Sequence, residues 1–157
     1  MPDEPCAPSP AIDVVREAIE ASRSGLLVAL DGITQPEFEH EVDGVCVRDL
    51  LWAHGQREDW YRRSIDQAAG GRPVDGFALH PRPERLATPD YLIAWIDQTR
   101  RPLLALLRRL SDADLEVSVR PPDGAERTPR AILTGLAADE HALADAVRVA
   151  RSAARGV

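Results

Sequence analysis

The chain of 157 residues contains no lysine and no asparagine, and arginine is its only basic side chain other than histidine. Schiff-base chemistry on a lysine amine and phosphate binding by a P-loop lysine are therefore excluded. Cysteine is scarce, with Cys6 in a proline-rich start and Cys46 just ahead of a helical segment. Two cysteines so placed build neither a disulfide framework nor a zinc knuckle. No apolar run reaches the roughly 18 residues a membrane span needs, so no membrane partner is expected. The start, MPDEPCAPSP, lacks the positive charge and the apolar stretch of a secretory signal, and a cytoplasmic location is the expectation. Concentrated basic surface is also missing: the net charge is -7, which argues against nucleic acid. The arginine doublets Arg62-Arg63, Arg100-Arg101 and Arg108-Arg109 read as solvated helix faces.

What the chain does have is helical periodicity over most of its length. Residues 1–10 carry four prolines and read as a disordered tail, leaving residues 11–157 as one domain. Ile12, Val15, Ile19, Leu26 and Leu30 fall on one stripe at helical spacing, which Asp31-Gly32 ends. After an acidic connection over 33–46, anchored by Phe38 and Val42, a second helix starts near Val47 and stops at Gly70-Gly71. Thr88-Pro89 and Thr128-Pro129 each read as an N-cap threonine with proline in the first helical position. They open a third helix, carrying Pro102 as an expected kink, and a fourth running to about Ala153. Four amphipathic helices with almost no strand signal predict an all-α four-helix bundle. Residues 70–87 make an unusually long helix–helix connection. Extended, they reach about 60 Å, against roughly 35 Å for the preceding helix, so this loop can cross the whole bundle.

The apolar stripes are interrupted. Val47, Leu51, His54, Glu58, Tyr61 and Ile65 share one face of the second helix, so two ionisable groups stand at the centre of a core stripe. Burying them unpaired is costly, and a metal, each other or partners on another helix must satisfy them. Antiparallel packing of the first two helices puts Ser22 and Arg23 at the level of His54, making Arg23 a candidate counter-ion for Glu58. On the fourth helix Asp139 and Glu140 flank the stripe of Leu136, Leu143 and Val147, whereas His141 and Asp145 point away. One reading is a pocket in which His54 and these carboxylates hold a divalent ion, lowering the pKa of a bound thiol or water. The other is a satisfied polar cluster with His54 bonded to Asp139 or Glu58. His40 and His80 lie in connections and are expected to be exposed.

The run Val47-Arg48-Asp49-Leu50-Leu51-Trp52-Ala53-His54, followed by Glu58 and Trp60, resembles the second helix of the DinB-like superfamily. That group includes the mycothiol-dependent maleylpyruvate isomerase N-terminal domain and the bacillithiol transferases. The resemblance extends through Thr88-Pro89 and residues 107–115 into the fourth helix. It implies an up-down-down-up bundle and a three-ligand site for nickel or zinc, with one histidine from the second helix and a pair four residues apart on the fourth. His54 matches the first ligand; Asp139 and Leu143 fall on the pair, and leucine cannot bind a metal. The resemblance thus implies a metal-dependent transferase or hydrolase acting on a small molecule, with mycothiol as thiol. In that reading His54 and Asp139 hold the metal, and Glu58, Arg23 and Glu140 assist. The competing readings are a non-catalytic bundle that binds or sequesters a small molecule, and a structural bundle that forms a homodimer through an apolar face.

Overall fold

The computed structural model describes residues 10–73, 76 and 78–156. Helix α1 spans Pro10–Leu30, α2 Gln35–Glu39, α3 Val47–Asp66, α4 Pro89–Leu107 and α5 Pro129–Arg155. The described residues contain no strand, only the isolated bridges Val42–Val45 and Val119–Arg127. The fold is all-α, as expected, and no described helix is long and apolar enough to cross a membrane.

Local chemistry accounts for the boundaries. Pro10 opens α1, where a missing N–H costs nothing, so the helix begins within the segment read as a tail; residues 1–9 lie outside the described residues. Asp112 accepts a hydrogen bond from the Ile12 N–H at 3.2 Å, and Gly32, at φ 63°, carries the chain out of the other end. The connection over 33–46 holds the short helix α2, which periodicity cannot register in one turn and a half. Thr34 and Glu37 form a reciprocal capping box at its start, and Phe38 is fully buried beneath it. Thr128 caps α5 through the Ala131 N–H, whereas Thr88 occupies the N-cap of α4 without a hydroxyl bond to the backbone. Helix α4 continues through Pro102.

The long helices bury their stripes in two apolar clusters. One gathers Ile12, Val15 and Ile19 of α1, Ile65 at the end of α3, Leu103–Leu107 at the end of α4 and Ile132–Ala137 early in α5. The other gathers Leu26 and Leu30 of α1, Val47 and Leu51 at the start of α3, Leu92 and Ile96 early in α4 and Leu143–Ala150 in α5. In every long helix buried polar residues stand between these two sets: Ser22 and Arg23, His54 and Glu58, Arg100, Glu140.

Packing between α3 and α4 depends on one glycine. A Cβ on Gly55 would lie 2.2 Å from the Trp95 ring, which stacks on Trp52 with ring centroids 4.3 Å apart. Replacing Gly55 by alanine should therefore cost about 1–3 kcal/mol through overpacking, outweighing the roughly 1 kcal/mol gained in helix propensity. Urea denaturation should show a lower midpoint with a changed tryptophan emission; an unchanged or higher midpoint would mean that Trp95 swings aside freely.

Candidate functional site

The polar layer is a closed set of charges. Arg23 donates from Nε to Glu140 Oε1 at 2.7 Å, from Nη2 to Glu58 Oε2 at 2.6 Å and from Nη1 to the Ile96 carbonyl at 2.7 Å. Arg100 donates from Nε to Glu58 Oε1 at 2.6 Å, from Nη2 to Glu140 Oε1 at 2.8 Å and from Nη1 to the Ile19 carbonyl at 2.7 Å. Ser22 donates to Glu140 Oε2 at 2.6 Å. The His54 ring places Nε2 3.0 Å from Glu140 Oε1 and 3.9 Å from Glu58 Oε2. An ionised carboxylate can only accept, so the Nε2 proton points at Glu140. Two guanidiniums face two carboxylates, and all six of these residues are buried.

Sequence position explains how the layer assembles. Ser22 and Arg23 follow Ile19 and precede Leu26 on α1; Glu58 stands one turn beyond His54 on α3; Arg100 takes the step between Ile96 and Leu103 on α4. Each long side chain thus starts from a core-facing position, where only the opposite charge can compensate its desolvation. Burial works against the charge of Glu140, but the His54 hydrogen bond, the Arg100 and Arg23 charges and the Ser22 hydroxyl prevail. Together they hold its carboxyl far below the usual carboxylate range. Burial likewise opposes the charge of Arg100, and Glu58 and Glu140 outweigh it, raising the guanidinium above its ordinary value.

Several expectations are met and several are corrected. Arg23 does pair with Glu58, and Glu140 does face His54. His141 and Asp145 are exposed, with Asp145 bonded to Arg148 at 2.6 Å. Asp139, expected beside His54 as a metal ligand, is instead exposed: one residue further along α5 rotates by about 100°, and that step gives the inner position to Glu140. Arg100, expected with Arg101 on a solvated face, is 4% exposed and links both glutamates, while Arg101 alone is exposed, pairing with Asp97. The signal was present, since Arg100 lies four residues after Ile96 and three before Leu103. His80 is exposed and is not among the residues that line the groove at His54. Its backbone is tied to the Gln56 side chain and the Trp52 indole, which fastens the 70–87 connection across α3.

A groove of about 240 Å³ opens above His54 between α3 and α5, lined by Leu50, His54 and Arg57 on one side and Asp139, Ala142, Leu143 and Ala146 on the other. Larger depressions of about 430 and 480 Å³ flank Trp95 on the α3–α4 face, but neither reaches the buried layer. As to a metal, one ligand atom each from His54, Glu58 and Glu140 can be chosen so that all lie within 4.8 Å of one another. By distance the three fit a divalent ion. By charge they do not, because Glu140 Oε1 and Glu58 Oε2 already accept guanidinium N–H groups, and an ion there would stand against two fixed cations. Compared with family models, curated proteins and solved structures, the chain matches none.

The layer makes stability acid-sensitive in a defined direction. Glu140 is ionised in the folded state well below the unfolded glutamate value of about 4.3. Its stabilisation is therefore fully present above that value and declines as the pH falls below it. Glu140→Gln should cost about 3–5 kcal/mol at pH 7, because it leaves buried guanidiniums undercompensated, and should flatten the loss of stability below pH 4. Denaturant titrations across pH measure both effects; a cost under about 1 kcal/mol, or an unaltered acid limb, would show the layer to be energetically idle.

Proposed function

We propose that the chain is a DinB-like, up-down-down-up four-helix bundle that binds a small molecule without a metal, its polar layer serving as a structural lock beneath the α3–α5 groove. The helix order is supported by the way the two apolar clusters are filled. The end of α1 meets the starts of α3 and α4 and the far part of α5, while its beginning meets their ends and the near part of α5. The single observation that carries the metal-free reading is that Arg23 and Arg100 each bond both Glu58 and Glu140. Charge that an ion would supply is already supplied by arginine, fixed by covalent attachment to two different helices. Leu143, where the family pattern has its last ligand, packs instead into the apolar cluster.

A second reading keeps one specific observation in its favour: the mutual closeness of ligand atoms from His54, Glu58 and Glu140. On that reading the protein is a nickel- or zinc-dependent thiol transferase or hydrolase, with mycothiol as its thiol. Metal analysis separates the two. Purified protein loaded with nickel or zinc and then desalted should retain only substoichiometric metal, the same as His54→Ala, and its thermal midpoint should not respond to chelator. One metal per chain, lost in His54→Ala, would overturn the metal-free reading in favour of the second.

A further inference from the structure

The groove above His54 has a chemical character that its small size makes selective. His54 is 5% exposed and spends Nε2 on Glu140; its Nδ1 has no hydrogen-bond partner among the described residues, although the ring lines the groove. With the proton on Nε2, Nδ1 of the neutral ring is an acceptor. Arg57 follows His54 by three residues, so it rises from the same side of α3, about 5–6 Å away between Cβ atoms. Asp139 faces them from α5. Both are exposed, and neither forms an ion pair with any described residue. Leu50, Leu143 and Ala146 supply apolar wall.

Resting on the small-molecule reading above, we propose that this groove takes a small zwitterion, an ammonium and a carboxylate on a compact aliphatic body, the class of the apolar α-amino acids. The ammonium donates to His54 Nδ1 and to Asp139; the carboxylate accepts from the Arg57 fork, which suits it in bidentate geometry; the aliphatic part lies against Leu50, Leu143 and Ala146. A plain anion would meet the Asp139 carboxylate and a plain cation the Arg57 guanidinium, so each single charge is selected against. A volume of about 240 Å³ lies below the roughly 300–1,000 Å³ of drug-sized sites, which keeps the ligand near the size of one amino acid.

The test uses the full chain with labelled methyl groups and labelled histidine, titrated with L-leucine, with 3-methylbutylamine, which lacks the carboxylate, and with 4-methylpentanoate, which lacks the ammonium. Leucine should shift the Leu50, Leu143 and Ala146 methyl signals and move His54 Nδ1 rather than Nε2. Its affinity should exceed that of either truncated probe by at least about 10-fold, the size of one charge-assisted hydrogen bond. Arg57→Gln should erase the advantage over the amine and Asp139→Asn the advantage over the carboxylate; since both residues are exposed and unpaired, thermal midpoints should hold. If either truncated probe binds as tightly as leucine, or if members of a fragment library shift the groove methyls while leucine does not, the zwitterion class is wrong and the binding reading stands. If neither leucine nor any fragment moves those signals, both fall.

Discussion

Every long helix of this protein is tied to the others by the grid in which Arg23 and Arg100 each grip Glu58 and Glu140. Four helices contribute one member each, and the bonds are short and directional. Slipping any helix by one turn, about 5.4 Å, would break its share of the grid and leave a charge buried alone. Burying four charges gives little net stability compared with an apolar layer of the same volume, since desolvation offsets most of the attraction. What the grid supplies is register, because the apolar clusters on either side tolerate sliding far better than a guanidinium between two carboxylates does.

That constraint also shapes the surface above it. Glu140 holds Nε2 of His54, so the imidazole is turned with one nitrogen committed inward and the other left uncommitted. Helix α3 then carries three different environments around its circumference. His54 and Glu58 face the layer, Leu50 and Arg57 face α5 across the groove, and Gly55 admits Trp95 against the backbone from α4. The 70–87 connection is fastened to this same helix through Gln56 and Trp52.

Much of this was legible in the stripes. His54 and Glu58 stood out because they occupy the centre of an apolar face, and Arg23 because it breaks the stripe of α1 at the matching level. Arg100 reads as a surface residue because an adjacent Arg101 makes the two look like a solvated pair; a doublet on a helix points in two directions, and one of them here is inward. The choice between Asp139 and Glu140 was similarly a matter of about 100° of rotation, finer than the scatter of a stripe defined by three aliphatic positions. Helix α2 is too short for periodicity, though its capping box of Thr34 and Glu37 was readable.

The sequence by itself determined that the chain is helical, where its long helices start and stop, and at what level their apolar faces turn polar. Those properties are local: they depend on residue type, spacing and capping within one segment. Only the tertiary structure decided which charge neutralises which. Pairing across four helices depends on their rotation about their own axes and on the reach of arginine and glutamate side chains, and neither is encoded within a single stretch of chain. The same arrangement decided that His54 is met by a carboxylate already bonded to two arginines.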